Sequence, residues 1–373
     1  MEQTDDLEIF VVTTPGLEPA LCAEMQEKGF ASPTPAKGGV TTRGPWREVW
    51  RANLELRGGA RVLARIGSFR AMHLAQLDKR ARKFPWAQVL RADVPVRVEA
   101  SCNKSRIYHA GAAAQRIAKA IAEELGAPVT KDAELVVKAR IDDDLCTFSI
   151  DTSGEGLHKR GYKEAVNKAP MRENLAAMFL RQCGYAGTEP VVDPMCGSGT
   201  FVIEAACIAA GLPAGLGRSF AFQHLASFDP AAWAALCGAG GAADTPLRFY
   251  GSDRDAGAIK MSQANAERAG VGAITTFRAH AISDLEPPEG PPGLVIVNPP
   301  YGGRIGDTRQ LYGLYGAFGK VMLNRFRGWR VGMITNEAAL AKVTELPFLP
   351  TLAPISHGGL PVTLYRTGVL GGA

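Results

Sequence analysis

A chain of 373 residues with 46% hydrophobic and 21% charged side chains is long enough for two or three cores and too apolar to stay disordered. Its start carries Glu2, Asp5 and Asp6 with no basic n-region, and it has no run of about 18 apolar residues, which argues against secretion and against a membrane span. The 7 cysteines are odd in number, scattered and never in a CxxC pair, so the expectation is a reducing cytoplasm, with no disulfide framework and no metal.

The net charge of +5 is unevenly placed. Residues 43–131 hold 18 Lys and Arg against 7 Asp and Glu, an excess of +11 that leaves −6 for the remainder. Such segregation suggests that one part of the protein meets a polyanion.

In chain order, Glu8–Thr13 reads as a strand, and Leu17, Leu21 and Met25 recur every four residues on a helix that Gly29 stops. Gly38–Arg43 predicts the next strand. Trp46–Leu56 predicts an amphipathic helix with Trp46, Val49, Trp50 and Leu54 inward. A second unit follows, with Val94–Ala100 as a strand and Ala113, Ile117, Ile121 and Leu125 as a helical stripe ending near Gly126. Glu134–Arg140 and Leu145–Asp151 then predict a hairpin across the Asp142, Asp143, Asp144 turn. The pattern is α+β.

Thr152–Gly161 is polar and Gly-rich, which places a domain junction there. Beyond it a helix over Glu173–Cys183 leads into short apolar strands at Pro190–Asp193, Arg248–Asp253, Ile274–Arg278, Leu294–Asn298 and Arg330–Thr335, with a helix over Ala256–Ala269. Strands of that kind predict a parallel sheet covered on both faces. Gly211–Pro246 reads as a partly helical insertion with a Gly/Ala patch at Gly238–Ala243.

The chemistry concentrates at three strand ends. Val191–Thr200 (VVDPMCGSGT) is a buried strand ending in Asp193, a turn with Gly197 and Gly199, and then a helix. Glycine lets a ligand approach the backbone, the helix amino terminus favours a carboxylate, and Asp193 can hold an amino group. Phe249–Asp253 (FYGSD) ends in a second acid, of the kind that accepts hydrogen bonds from ribose hydroxyls. Val295–Tyr301 (VIVNPPY) runs into Asn298, Pro299, Pro300 and Tyr301. Two prolines fix the chain so that the Pro299 carbonyl and the Asn298 amide oxygen can grip the N–H groups of an exocyclic amine, and Tyr301 offers a stacking face. His280 and Cys196 are read as structural, since neither has a partnering base.

These segments, with ANAERAG, VNPPYGGRIGD, the junction SGEGLHKRGY and the opening TTPGLEPAL, resemble the family of large-subunit ribosomal RNA guanine-N2 methyltransferases that carry an amino-terminal THUMP domain. The resemblance implies a Rossmann-like class I methyltransferase domain preceded by an α+β ferredoxin-like and THUMP module. It implies a ferredoxin-like segment at 1–55, a THUMP domain at 56–153 and a catalytic domain at 160–373. The second methyltransferase fused in some members is not expected, because the chain ends shortly after the catalytic domain.

The implied cofactor is S-adenosylmethionine, held by Asp193, Pro194, Cys196, Gly197, Ser198, Gly199, Thr200 and Asp253. Arg172 and Glu173 belong to a helix that the family places over the cofactor. Asn298, Pro299, Pro300 and Tyr301 would act on a flipped base. The loop TFRAHAISDL puts Ala281 where an Asp commonly receives the adenine amine, so Asp284 is the nearest candidate. Arg97, Lys104, Arg106 and Arg116 are the candidate RNA contacts. A tRNA guanine-N2 methyltransferase is the alternative. A DNA adenine-N6 methyltransferase is disfavoured by the basic amino-terminal module, and a non-catalytic RNA-binding factor by the intact Asn298–Tyr301 and glycines.

Overall fold

The computed structural model describes residues 6–164, 171–239, 244–301 and 308–372. The chain divides into two compact units, one built from Met1–Thr13, Leu21–Leu157 and Arg218–Ala239, the other from Thr14–Ala20, His158–Gly217 and Gly240–Ala373. Neither unit is continuous in sequence.

The first unit carries β1 (Leu7–Val12), most of α1 (Glu18–Glu27), β2 (Thr34–Ala36), β3 (Gly39–Gly44), α2 (Trp46–Glu55), β4 (Arg61–Arg70), α3 (Leu74–Arg82), β5 (Val96–Asn103), α4 (Ala110–Leu125), β6 (Leu135–Asp142) and β7 (Leu145–Asp151). They form one seven-stranded sheet in the order β2-β3-β1-β4-β7-β6-β5. Only β5 and β6 pair in parallel; the other neighbours are antiparallel. Period-two alternation buries Ile9, Val11, Val62, Ala64, Cys146, Phe148 and Ile150 in one core. The opposite face leaves a concavity of about 430 Å³ lined by residues such as Phe10, Arg65, Lys138 and Thr147.

The strand β4 and the helix α3 are not anticipated by the sequence pattern. β4 reads RVLARIGSFR, and its arginines on the open face mask the buried Val62 and Ala64. A bulge between Arg65 and Gly67 further breaks the alternation.

The larger departure concerns the insertion. Residues 218–239, expected within the catalytic domain, fold with the first unit. Arg218 donates to the carbonyls of Ser153, Glu155 and Gly156, and the Phe222 amide donates to the Thr152 carbonyl at 3.1 Å. Phe222 stacks on Trp50 with ring centroids 6.0 Å apart, and Trp233 meets Phe222 edge-on at 5.0 Å. Asp229 caps the short helix α7 (Pro230–Gly238), with proline at its first position. Part of the expected Gly/Ala patch, residues 240–243, lies outside the described residues.

The second unit carries α5 (Glu173–Gln182), β8 (Val191–Asp193), α6 (Thr200–Ala209), β9 (Phe249–Asp253), α8 (Ala256–Arg268), β10 (Thr275–Ala279), β11 (Leu294–Val297), α9 (Thr308–Arg325), β12 (Arg330–Thr335), α10 (Ala338–Val343), β13 (Ile355–His357) and β14 (Leu360–Arg366). The sheet order is β10-β9-β8-β11-β12-β14-β13. The first five are parallel, as expected. β14 runs antiparallel to β12 and β13, a closing hairpin that the sequence reading did not contain. The chain winds outward from β8 through β9 to β10, then returns to place β11 on the other side of β8. That reversal opens a crevice at the carboxyl ends of β8 and β11. Among the described residues no helix is long and apolar enough to cross a membrane.

Phe222 is fully buried, so Phe222→Ala should lower the stability of the first unit by about 3–5 kcal/mol. Denaturant titration followed by tryptophan fluorescence measures this; a shift below about 1 kcal/mol would contradict a core role for residues 218–239.

Candidate active site

β8 delivers Asp193 to the crevice almost fully buried, 2% exposed. Its Oδ1 accepts from the Met195 amide at 3.1 Å. Burial pushes the carboxyl up to about 8; the Met195 amide offsets this in part, and the neighbouring Asp253 charge adds to it. Below that value the ligand-free group keeps its proton, and a cationic partner would favour its charged form.

The turn that follows is locked to β9. The Cys196 amide donates to the Ser252 carbonyl at 2.9 Å, and the Gly197 amide donates to Asp253 Oδ2 at 3.1 Å. Gly197 and Gly199 adopt φ of +53° and +82°, conformations that favour glycine. A Cβ on Gly197 would meet nothing within 4 Å, whereas one on Gly199 would stand 3.1 Å from Ser262 and 3.2 Å from Phe277. Gly199 thus permits helix and sheet to close up, and Gly197 faces open space. Pro194 and Ser198 are buried within the turn, and Thr200 opens α6.

Two side chains of α8 support the turn: Ser262, and Asn265 of the ANAERAG segment, to neither of which the sequence assigns a role. Ser262 Oγ donates to the Gly197 carbonyl at 2.8 Å, and Asn265 Nδ2 donates to the Ser198 carbonyl at 3.0 Å. Burial drives the Cys196 thiol far above its ordinary range, which suits packing and not nucleophilic work.

Behind α6 lies a buried ionic network. Lys163 Nζ reaches Glu173 Oε1 at 3.1 Å, Thr200 Oγ1 at 2.9 Å and the Met171 carbonyl at 3.1 Å. Arg160 meets Glu204 at 3.3 Å with both side chains almost wholly buried. Glu173 therefore joins α5 to α6, while Arg172, the residue capping α5, is exposed. Residues 165–170 of the segment before α5 lie outside the described residues.

On the other side of β8, β11 is buried throughout and leads into Asn298. Asn298 Oδ1 is buried and, among the described residues, has no hydrogen-bond partner; the same holds for Asn336 Oδ1, just past β12, and Ser252 Oγ of β9. Of these, Asn298 and Asn336 follow the neighbouring strands β11 and β12, and orphaned polar atoms so placed are what a bound polar ligand would satisfy. Pro299 and Tyr301 are buried. The Pro300 carbonyl accepts from the Tyr315 hydroxyl at 3.3 Å, which also reaches Thr335 Oγ1 at 3.3 Å. Tyr315, on α9, was not singled out from sequence; burial pushes its hydroxyl above the ordinary phenol range. The GGRIGD part of the third motif, 302–307, lies outside the described residues.

The remaining candidates are more dispersed. His280 donates its amide to the Asp253 carbonyl, fixing the loop that leads to Asp284. Asp284 itself is exposed, with Oδ1 accepting from Ser283. Of the basic candidates in the first unit, Lys104 and Arg106 share the β5–α4 loop. Arg97 lies near the opposite end of β5, beside Glu99 at 3.1 Å, and Arg116 is exposed on α4. Among the described residues no cluster of three or more His, Cys, Asp or Glu is placed to hold a metal ion.

A parallel sheet that reverses at β8, a Gly-rich turn locked to an acid on β9, and an Asn-Pro-Pro-Tyr segment after β11 define a class I methyltransferase. The chain belongs to the family described as UPF0020, RMKL-like, methyltransferase domain, which matches residues 160–349, and residues 8–63 match the RlmL ferredoxin-like domain. It is 30% identical to "Putative RNA methyltransferase slr0064" of Synechocystis sp. over 96% of this chain and 95% of that protein. It is 32% identical to the ribosomal RNA large subunit methyltransferase K/L of Psychromonas ingrahamii over 90% of this chain, which spans only 46% of that longer protein. The crystal structure of SMU.472, "a putative methyltransferase complexed with SAH", superposes with a TM-score of 0.87 at 25% identity, covering 99% of both chains.

Asp193 generates a pH prediction. Its folded value near 8 lies above the roughly 3.9 of an unfolded Asp, so between those values the folded protein retains a proton that the unfolded chain releases. The ligand-free protein must therefore lose stability from this group as pH rises from about 4 to about 8. Thermal melts of wild type and Asp193→Asn at pH 5 and pH 8.5 check it: the wild type should decline relative to the variant. Parallel pH profiles would contradict the assignment.

Proposed function

We propose that the protein transfers a methyl group from S-adenosylmethionine to the exocyclic N2 amine of a guanine in large-subunit ribosomal RNA. The observation that carries this reading is Asn298 Oδ1, a buried acceptor without a partner among the described residues, at the carboxyl end of β11 beside the locked turn. The ribosomal substrate is supported by the likeness to the large-subunit K/L enzyme. The guanine-N2 target rests on the family resemblance of VNPPYGGRIGD.

The residues present fit the cofactor. Asp193 would take its ammonium group, the amides at the start of α6 its carboxylate, and Asp253 its ribose hydroxyls. Pro194, Cys196, Ser198 and Thr200 shape the wall, with Gly197 giving close approach. Asp284 is assigned the adenine amine, and Arg172 and Glu173 the edge of the pocket at α5. When bound, S-adenosylmethionine supplies an electrophilic methyl group on a sulfonium.

The protein's own work is orientation. An exocyclic amine is a poor nucleophile because its lone pair is delocalised into the ring. Asn298 Oδ1 and the Pro299 carbonyl accept its two N–H groups, turning the lone pair out of conjugation and toward the methyl. Tyr301 stacks on the flipped base. Pro300, bonded through its carbonyl to Tyr315, keeps the segment rigid. An amine that gains a methyl group bears an acidic proton, which the acceptor oxygens of Asn298 and Pro299 would relay to water without a charged base.

The first unit brings the RNA. Its β5–β7 strands with α3 and α4 are assigned as a THUMP module, with Arg97, Lys104, Arg106 and Arg116 as phosphate contacts. The free thiols of all seven cysteines suit a cytoplasmic enzyme.

Asn298→Ala should cut single-turnover methyl transfer by about 100- to 1000-fold, the usual loss of one such acceptor, with cofactor affinity unchanged. A rate within threefold of wild type would remove Asn298 from catalysis.

A further inference from the structure

The largest exposed apolar side chain among the described residues lies outside the catalytic unit. Tyr108 is 85% exposed, well above the next, Val369 at 56%. Its neighbour Ile107 is buried, so the loop is anchored beneath the ring. A single exposed apolar side chain is ordinary, and its neighbours decide whether it belongs to a binding surface.

The topology gathers three segments at this tip. β4 runs antiparallel to β7, β7 antiparallel to β6, and β6 parallel to β5, so β4 and β5 end at the same edge, beside the β6–β7 turn. Met72 follows β4 and Leu145 starts β7, and both are exposed, at 42% and 39%. Arg106 Nη1 lies 3.4 Å from Met72 Sδ, tying two of the segments.

The loop is stiff. Lys104, Asp143 and Asp144 hold φ of +45°, +50° and +60°, costly for residues other than glycine. The cost is offset by a set of local bonds. Asp144 Oδ1 accepts the Arg106 amide at 2.8 Å, Ser105 Oγ accepts the Asp144 amide at 3.0 Å, and Asp142 Oδ1 accepts Asn103 Nδ2 at 2.9 Å. Two of the three acidic side chains thus spend acceptors on building the loop, and Asp143 sits 3.9 Å from Arg70. Lys104 and Arg106 share the loop with Tyr108, and Arg70 ends β4 at the same edge; all three are exposed, with Arg106 3.9 Å from Asp144 as Arg70 is from Asp143. α3 and α4 both begin here, capped by His73 and His109 Nδ1, and their amino termini add partial positive charge.

We propose that this tip binds unpaired RNA, with one base stacked on Tyr108 and the adjoining phosphates held by Arg70, Lys104 and Arg106. The proposal deepens the RNA methyltransferase reading and rests on it. An exposed aromatic on a stiff loop that also carries cations matches a base and its flanking phosphates. Duplex RNA, whose bases are already stacked, gains only the phosphate contacts.

Fluorescence anisotropy on the full-length protein tests this, with a labelled single-stranded oligouridine and a blunt RNA duplex as probes. Tyr108→Ala should weaken single-strand binding by about 5- to 150-fold, the range for one stacked base, with duplex binding within twofold of wild type. Tyr108→Trp should bind the single strand at least as well as wild type. Lys104→Gln with Arg106→Gln should weaken both probes and flatten the salt dependence. Single-strand affinity of Tyr108→Ala within twofold of wild type, or equal losses on both probes, would overturn the proposal. The parent reading is separated by wild-type methyl incorporation into deproteinised ribosomal RNA. If that is absent the parent reading fails, and if it is present while Tyr108→Ala binds normally only the tip proposal fails.

Discussion

The active site depends on the lock between the ends of β8 and β9. One backbone amide of the glycine turn is spent on Asp253 Oδ2 and another on the Ser252 carbonyl. These bonds fix the turn's open face, align the start of α6 and hold Asp253 at the pocket. The bonds from Ser262 and Asn265 on α8 are its second support. Loosening this lock would displace the groups proposed to hold the cofactor's ammonium, carboxylate and ribose together, because the turn that follows Asp193 is bonded directly to Asp253.

The motifs were legible in sequence because each combines a strand with residues whose backbone behaviour is distinctive. VVDPMCGSGT, FYGSD and VNPPY lie at the carboxyl ends of β8, β9 and β11, as the apolar strands and following glycines or prolines imply. Supporting residues were not legible. Tyr315 lies in the middle of a helix and Asn265 on a helix face, positions where nothing local distinguishes a partner from an ordinary core side chain. Asp193's perturbed proton affinity depends on burial, which sequence states only through its neighbours.

The domain boundaries show a different limit. Phe220, Phe222, Phe228 and Trp233 read as an apolar stretch in an insertion, and composition cannot say which core an insertion joins. Their stacking on Trp50 and one another answers that. The charge count also overstated the open surface of the first unit. Arg61, Arg65, Arg97, Lys138 and Arg140 on its sheet face Asp151, Glu8, Glu99 and Asp142, which damps the local field; apart from the pair with the buried Asp151, these lie near the surface and contribute little to stability. Arg70 and Arg106 also have carboxylate neighbours, Asp143 and Asp144, at the looser distance of 3.9 Å, on the tip where an aromatic side chain is held out.

The central claim is the chemistry at Asn298 on an RNA guanine. Its most direct test is nucleoside mass spectrometry after incubating the full-length protein with S-adenosylmethionine and deproteinised large-subunit ribosomal RNA. N2-methylguanosine is expected as the new modified nucleoside. Recovery of the methyl group in N6-methyladenosine would contradict it, as would its absence from every nucleoside while the cofactor still binds.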